Sequence, residues 1–203
     1  MDLTIRQRGA LIGLINSGFA HTAASLSDLT GHRVLFSAPK IALHPIHELS
    51  NVLSHFVKGE VAIVHQIFAG PIAGDALLLF GYEGALALTN LLANKPVVAP
   101  RLDASTREVL IEAGNILLNA CLEMFSNVLH AQISFSVPRL HLEPLDVVLR
   151  SLVNGREEPR HAVVAKTAFR LRDSEVTSHL IIVPGLASFN HLIKQIEHWK
   201  ARQ

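Results

Sequence analysis

Sliding the 203-residue sequence along itself by 99 positions superposes two long stretches without a gap. Leu11-Ile12 falls on Leu110-Ile111, Asn16 on Asn115, Ser27 on Ser126 and Phe36-Ser37 on Phe135-Ser136. Pro39 then falls on Pro138, Leu43 on Leu142 and Pro45 on Pro144. An ordered series of identities at constant offset marks a duplicated structural unit, so the fold must be one that contains the same unit twice. The copies cover about residues 5–94 and 105–201 of a single domain, 1–203. They meet near Asn94-Lys95-Pro96, where proline and polar residues break the apolar pattern.

Each copy shows one order of elements. A helical pattern runs from about Ile5 to Leu29, with Ala10, Leu14, Phe19, Ala23 and Leu26 on one side and Gly31 as its stop. Thr4 and Gln7 have capping-box spacing. A strand is expected over Arg33 to Ser37, then a short helix from Pro45 to His55. Val61 to Ala69 and Ala76 to Phe80 read as strands around the Gly70–Gly74 turn, and Tyr82 to Ala93 as a helix. The second copy repeats this. Its long helix spans about Ser105 to Leu129, with Ser105 and Glu108 as the expected capping box. A strand follows over Gln132 to Ser136 and a short helix near Pro144. Strands are expected at Ala162 to Leu171 and Val176 to Val183 around Arg172-Asp173-Ser174. The closing helix, Ala187 to Ala201, turns Leu192, Ile193, Ile196 and Trp199 inward. Helices mixed with hairpins indicate an α+β fold. The two pseudo-symmetric halves are expected to share one mainly antiparallel sheet with the two long helices packed on a face. Neither half has much core of its own, so they should fold together.

Hydrophobic residues make up 49% of the chain and charged residues 17%, which supplies a core and excludes a disordered chain. The formal net charge is +1 and there is no basic stripe, so nucleic acid is not an expected partner. Cys121 is the only cysteine, which rules out an internal disulfide and fits a reducing cytoplasm. Met1 to Arg8 is polar and mixed, without a signal-peptide core, and no uninterrupted apolar run reaches membrane-spanning length. A soluble cytoplasmic protein without membrane insertion is expected.

Glu112 and Asn115 lie three residues apart inside the second long helix and so project from one face. Twenty-two residues separate Asn115 from Pro138, and the same interval separates Asn16 from Pro39. A Glu-x-x-Asn on a long helix, followed after that interval by Pro, resembles the signature of the CheC/CheX/FliY chemotaxis phosphatases. His21 to Ser27, Phe36-Ser37-Ala38-Pro39, Phe135-Ser136-Val137-Pro138 and the segment from Gly74 to Leu92 are similar to the family's text as well. The resemblance covers nearly the whole chain, in the two-repeat order of CheC. It implies hydrolysis of an aspartyl phosphate on a CheY-like receiver domain in chemotaxis signalling. In that reading Asn115 positions the attacking water, Glu112 docks a receiver lysine, and Pro138 supports the motif. No cofactor or metal is expected on this chain, because the receiver carries the divalent ion. An acyl phosphate is already reactive, so the task is mainly to place water in line with phosphorus. A neutral amide does this without adding negative charge beside the phosphoryl oxygens. The first copy keeps Asn16 and Pro39 but has Gly13 in place of the carboxylate, so it is expected to be a degenerate, inactive site. One turn before Glu112, where the family commonly has Asp or Ser, stands Glu108, and the first copy has Gly9.

Simpler explanations exist for several of these residues. Glu108, Glu112, Asn115 and Asn119 form a polar stripe at helical spacing, which a solvated helix face alone would explain. Glu108 is also accounted for by the capping box. His44 and His47 flank Pro45, which breaks helical geometry, and no third ligand lies nearby, so no metal site is expected. Cys121 sits among Leu118, Leu122 and Phe125 as a buried apolar residue. The alternative function is a non-catalytic CheC-like binding module that partners CheD or the flagellar switch. A CheX-like dimer is not required, since both repeats are in one chain.

Overall fold

The computed structural model describes residues 3–31, 33–92, 101–130, 132–153, 161–171 and 174–200. The expected Asn94-Lys95-Pro96 junction, Ala93, Arg172-Asp173 and Ala201 lie outside them, as does the Trp199 side chain.

The two long helices are α1 (Ile5–Thr30) and α4 (Ala104–Leu129). Thr4 caps α1 through the expected box: Gln7 N donates to Thr4 Oγ1 at 3.2 Å and Thr4 N donates to Gln7 Oε1 at 2.9 Å. Gly31 ends the helix at φ 66°, a left-handed conformation that costs glycine nothing. The second cap differs from expectation. Asp103, not Ser105, is the N-cap, and its Oδ1 accepts from Thr106 N at 2.9 Å. Ser105 Oγ donates to the same oxygen at 3.1 Å, while Glu108 is exposed and bonds to nothing. An ionised carboxylate at a helix start satisfies orphan N–H groups and meets the positive end of the helix dipole, so it prevails over the neighbouring serine. Asp103 is also the 99-residue equivalent of Thr4. Asp103→Ala should therefore cost about 1 kcal/mol and Glu108→Ala less than about 0.5 kcal/mol, as read by urea unfolding.

Among the described residues eight strands form one antiparallel sheet. They are β1 (Val34–Phe36), β2 (Lys40–Pro45), β3 (Glu60–Ala69), β4 (Gly74–Gly81), β5 (Ser134–Phe135), β6 (Arg139–Pro144), β7 (His161–Leu171) and β8 (Ser174–Pro184). The sequence reading lacks β2 and β6, although Arg139-Leu140-His141-Leu142-Glu143 alternates with the period of a strand. β1 and β5 are shorter than expected, because each pairs over only two or three residues before its proline. The order is β1-β7-β8-β4-β3-β5, with β2 also on β7 and β6 also on β3. Each copy thus lends its first two strands to the hairpin of the other: Ile41 pairs Ala165, and Leu140 pairs Val64. The halves interlock rather than abut.

α1 and α4 pack on one face of the sheet with α3 (Tyr82–Leu92) and α6 (Leu186–Lys200). Leu14, Ile15, Phe19, Leu117, Leu118 and Phe125 from the long helices meet Phe68, Phe80 and Phe169 from the strands in the main core. Leu192, Ile193 and Ile196 of α6 join it as expected. Across the pseudo-twofold, Thr22 Oγ1 and the equivalent Cys121 Sγ lie 3.8 Å apart. Burial pushes the Cys121 thiol up to about 12, so it is an inert core residue. A second core lies on the other face. There the short helices α2 (Leu49–Ser54, preceded by a 3₁₀ turn over Ile46–Glu48) and α5 (Leu145–Val153) cover Val61, Ile63, Leu77, Leu79, Ile181 and Val183. Among the described residues α4 alone has the length and hydropathy of a membrane-crossing helix, which the charges within it had hidden. Leu110, Leu117, Leu118 and Leu122 of α4 are buried in this fold.

Candidate active site

α4 carries Glu112 and Asn115 one turn apart, and Asn115 reaches Gln66 of β3. Glu112 is exposed and makes no hydrogen bond or ion pair, which leaves its carboxylate open to a cation from outside. Asn115 is half-buried, and its Oδ1 accepts from Asn119 Nδ2 at 3.0 Å and from Gln66 Nε2 at 3.5 Å. Both lone pairs of that oxygen are engaged, so the amide plane is fixed with Nδ2 as the group left to bond elsewhere.

Gln66 belongs to β3 and therefore to the first copy, whereas Asn115 belongs to the second. It is 2% exposed, and its Nε2 also donates to the Ser136 carbonyl at 2.9 Å. Ser136 is itself pinned to the same strand: its N donates to the Ile67 carbonyl at 2.9 Å and its Oγ accepts from Ile67 N at 2.9 Å. Two residues on, half-buried Pro138 ends the β5 pairing and turns the chain into β6. Pro138 and Asn115 are thus linked through Ser136 and Gln66. Gly114 makes the approach possible: a Cβ there would lie 2.6 Å from Val64 Cγ2.

The equivalent place in the first copy keeps the loop and loses the rest. Ser37 N donates to the Ala168 carbonyl at 2.7 Å and Ser37 Oγ accepts from Ala168 N at 2.9 Å, as in the second copy. Thr167 stands where Gln66 does and donates its hydroxyl to the Ser37 carbonyl at 2.9 Å, which leaves no second hydrogen to extend to the helix. Asn16 is exposed and its side chain makes no hydrogen bond; Ala20 replaces Asn119, and the space around Gly13 is open. Pro39 is half-buried like Pro138.

Gln66 is the residue the sequence reading missed. Its signal was an amide between Val64 and Phe68, at a position that strand alternation puts on the same face as those two apolar residues. On the opposite face of β3, His65 Nε2 and Asp75 Oδ1 are 3.1 Å apart and the His141 ring lies 5.8 Å from that of His65. Burial, then the neighbouring His65, holds His141 below the usual imidazole range. Strand alternation directs these groups away from Asn115. Among the described residues no cluster of three or more His, Cys, Asp or Glu side chains is arranged to hold a metal.

No protein-family model matches the chain. Solved structures do. Thermotoga maritima FliY superposes with TM-score 0.77 at 17% identity over 100% of this chain and 99% of its own. A chain of the FliG–FliM complex from H. pylori gives 0.65 at 9% identity over 95% and 100%. A CheC-like superfamily protein from Shewanella sp. PV-4 gives 0.55 at 10% identity over 90% and 99%. With a duplicated unit, interlocked strands and paired long helices over one antiparallel sheet, the chain has the fold shared by FliY, CheC-like and CheX proteins and the FliM middle domain.

Proposed function

We propose that the chain is a cytoplasmic chemotaxis phosphatase that removes phosphate from a phosphorylated CheY-like receiver domain at a single site. The observation that carries this reading is the pairing of a free, exposed carboxylate at Glu112 with an amide at Asn115 whose oxygen is already tethered. Glu112 has the wrong sign to approach a phosphoryl group and the right sign to dock a receiver lysine. Asn115 Nδ2 then donates to a water oxygen and leaves a lone pair of that water directed at phosphorus. The aspartyl phosphate is reactive enough that positioning supplies most of what is needed. The divalent ion that neutralises the phosphoryl oxygens belongs to the receiver. Purified protein should speed loss of phosphate from its cognate receiver, and Asn115→Ala should slow it by about 10²-fold, the usual effect of removing one positioned group. Unchanged turnover in that variant would end the assignment.

A second reading is favoured by the likeness to a chain of the FliG–FliM complex and by the decay of the first site. In it the chain is a binding module for a flagellar switch protein such as FliG, or for CheD. Capture of such a partner by protein that shows no phosphate release, with Asn115→Ala indistinguishable from wild type, would select it.

A further inference from the structure

Asn115 does not hold its own orientation. We propose that Gln66 is a positioning residue for Asn115, reaching across from the other copy, so that the site is composite and neither repeat contains it alone. This rests on Asn115 being the water-positioning amide. Three observations carry it. Gln66 Nε2 has two hydrogens and spends both, on Asn115 Oδ1 at 3.5 Å and on the Ser136 carbonyl at 2.9 Å, which joins the helix to the proline-bearing loop. Gln66 Oε1 and Asn119 Oδ1 are buried without any hydrogen-bond partner. A side chain placed for stability would not leave its acceptor orphaned in the interior, whereas one placed for its donor would. Finally, the first copy lacks the residue and lacks the tether with it. With Thr167 on the strand and Ala20 on the helix, Asn16 is bonded to nothing although its loop is intact.

Gln66→Met tests this in the full chain, since methionine keeps the length and removes the donor. With only Asn119 left to hold Asn115 Oδ1, the amide plane is no longer fixed from both sides, and kcat on the phosphorylated receiver should fall by about tenfold. KM should stay unchanged because Glu112 still docks, and the melting temperature should change little, because loss of the two Nε2 hydrogen bonds is offset by removal of the buried, unpartnered Oε1. Gln66→Met with wild-type kcat, in a background where Asn115→Ala is inactive, overturns the proposal. So does a parallel loss of activity and melting temperature. The side-chain NH₂ signals of Asn115 give a readout independent of turnover. Their chemical shifts, and that of the side-chain carbonyl carbon, should move in Gln66→Met, because a hydrogen bond to Oδ1 is lost. Identical signals in both proteins reject the tether. If wild type and Asn115→Ala are equally inactive, the phosphatase reading fails and the NMR comparison still decides the role of Gln66. Reconstruction of the first site is the converse test. In an Asn115→Ala background, Gly13→Glu alone should restore no turnover, and Gly13→Glu with Ala20→Asn and Thr167→Gln should restore it. Recovery with Gly13→Glu alone rejects the need for a tether.

Discussion

Gly114→Ile should strongly destabilise the protein, and adding Val64→Ala should recover most of the loss. A Cβ at position 114 would sit 2.6 to 2.7 Å from three atoms of the Val64 side chain, closer than any real contact. Val64 is itself fully buried in β3 and paired to Leu140, so it has no direction in which to yield. Overpacking of this kind costs about 1–3 kcal/mol, and a branched side chain on an already clashing Cβ belongs at the upper end. Against it stands only a few tenths of a kcal/mol from the better helix propensity of Ile. A net loss of about 3 kcal/mol corresponds to a fall in Tm of roughly 6–12 °C for a chain of this size. The other copy has already solved the same problem. There the helix carries Ile15, the 99-residue equivalent of Gly114, and the strand carries Ala165, which pairs Ile41 as Val64 pairs Leu140. Both residues are 0% exposed. Volume has moved from strand to helix between the two copies. Val64→Ala alone should leave a cavity and cost about 1–2 kcal/mol, so the double variant should be more stable than the sum of the singles by at least about 1 kcal/mol. Urea unfolding of the four proteins measures this. Gly114→Ile melting with the wild type, or a double variant no better than Gly114→Ile, would show that α4 and β3 are not held at this distance.

The range of each interaction decided how much of it was legible in the sequence. The repeat, the long helices, the Thr4–Gln7 box, Gly31 and the hairpin around Gly70–Gly74 rest on spacing within a few residues or on a constant offset. The motif pair Glu112 and Asn115 was legible for the same reason, since three residues on a helix define a face. The Asp103 cap was legible only through the repeat, because local spacing favoured Ser105 and Glu108. β2 and β6 were concealed because they begin directly after Pro39 and Pro138 and pair with strands more than a hundred and about eighty residues away respectively. Their partners lie in the opposite copy, and no periodicity within one segment encodes that exchange. Gln66 was concealed by the same exchange. Its role depends on β3 lying under a helix from the other half, at a distance set by Gly114. Once the interlocking is known, a lone amide in a buried strand becomes conspicuous.

Acidification from pH 7 to about 4 should cost the protein about 3 kcal/mol through His179 alone, and His179→Leu should abolish that part of the loss. His179 lies in β8, is 3% exposed, and has a buried Nε2 with no partner. Its ring packs on Phe56 at 5.7 Å, and Lys166, its neighbour on β7, places Nζ 4.7 Å from the centre of the same Phe56 ring. Burial first, and the Lys166 charge second, lower the imidazole from 6.5 to about 4. The folded value lies below the unfolded one, so folding favours the neutral ring. The stabilisation is therefore complete above pH 6.5 and is lost as pH falls from there through about 4. At 1.36 kcal/mol per pH unit, that interval corresponds to about 3 kcal/mol. His141, lowered by burial and by His65, adds to the loss in the same direction. Carboxylates contribute as well, but equally in wild type and variant, so the difference between the two isolates His179. The substitution copies the other half of the molecule. Leu77 occupies the equivalent place, pairing His65 on β3 as His179 pairs Lys166 on β7, and is 0% exposed. Leucine should therefore fit without strain. Unfolding free energies at pH 7 and pH 4 for both proteins decide the matter. Equal losses would mean that the ring is protonated in the folded state at little cost and that Lys166 and the β7–β8 surface do not oppose its charge.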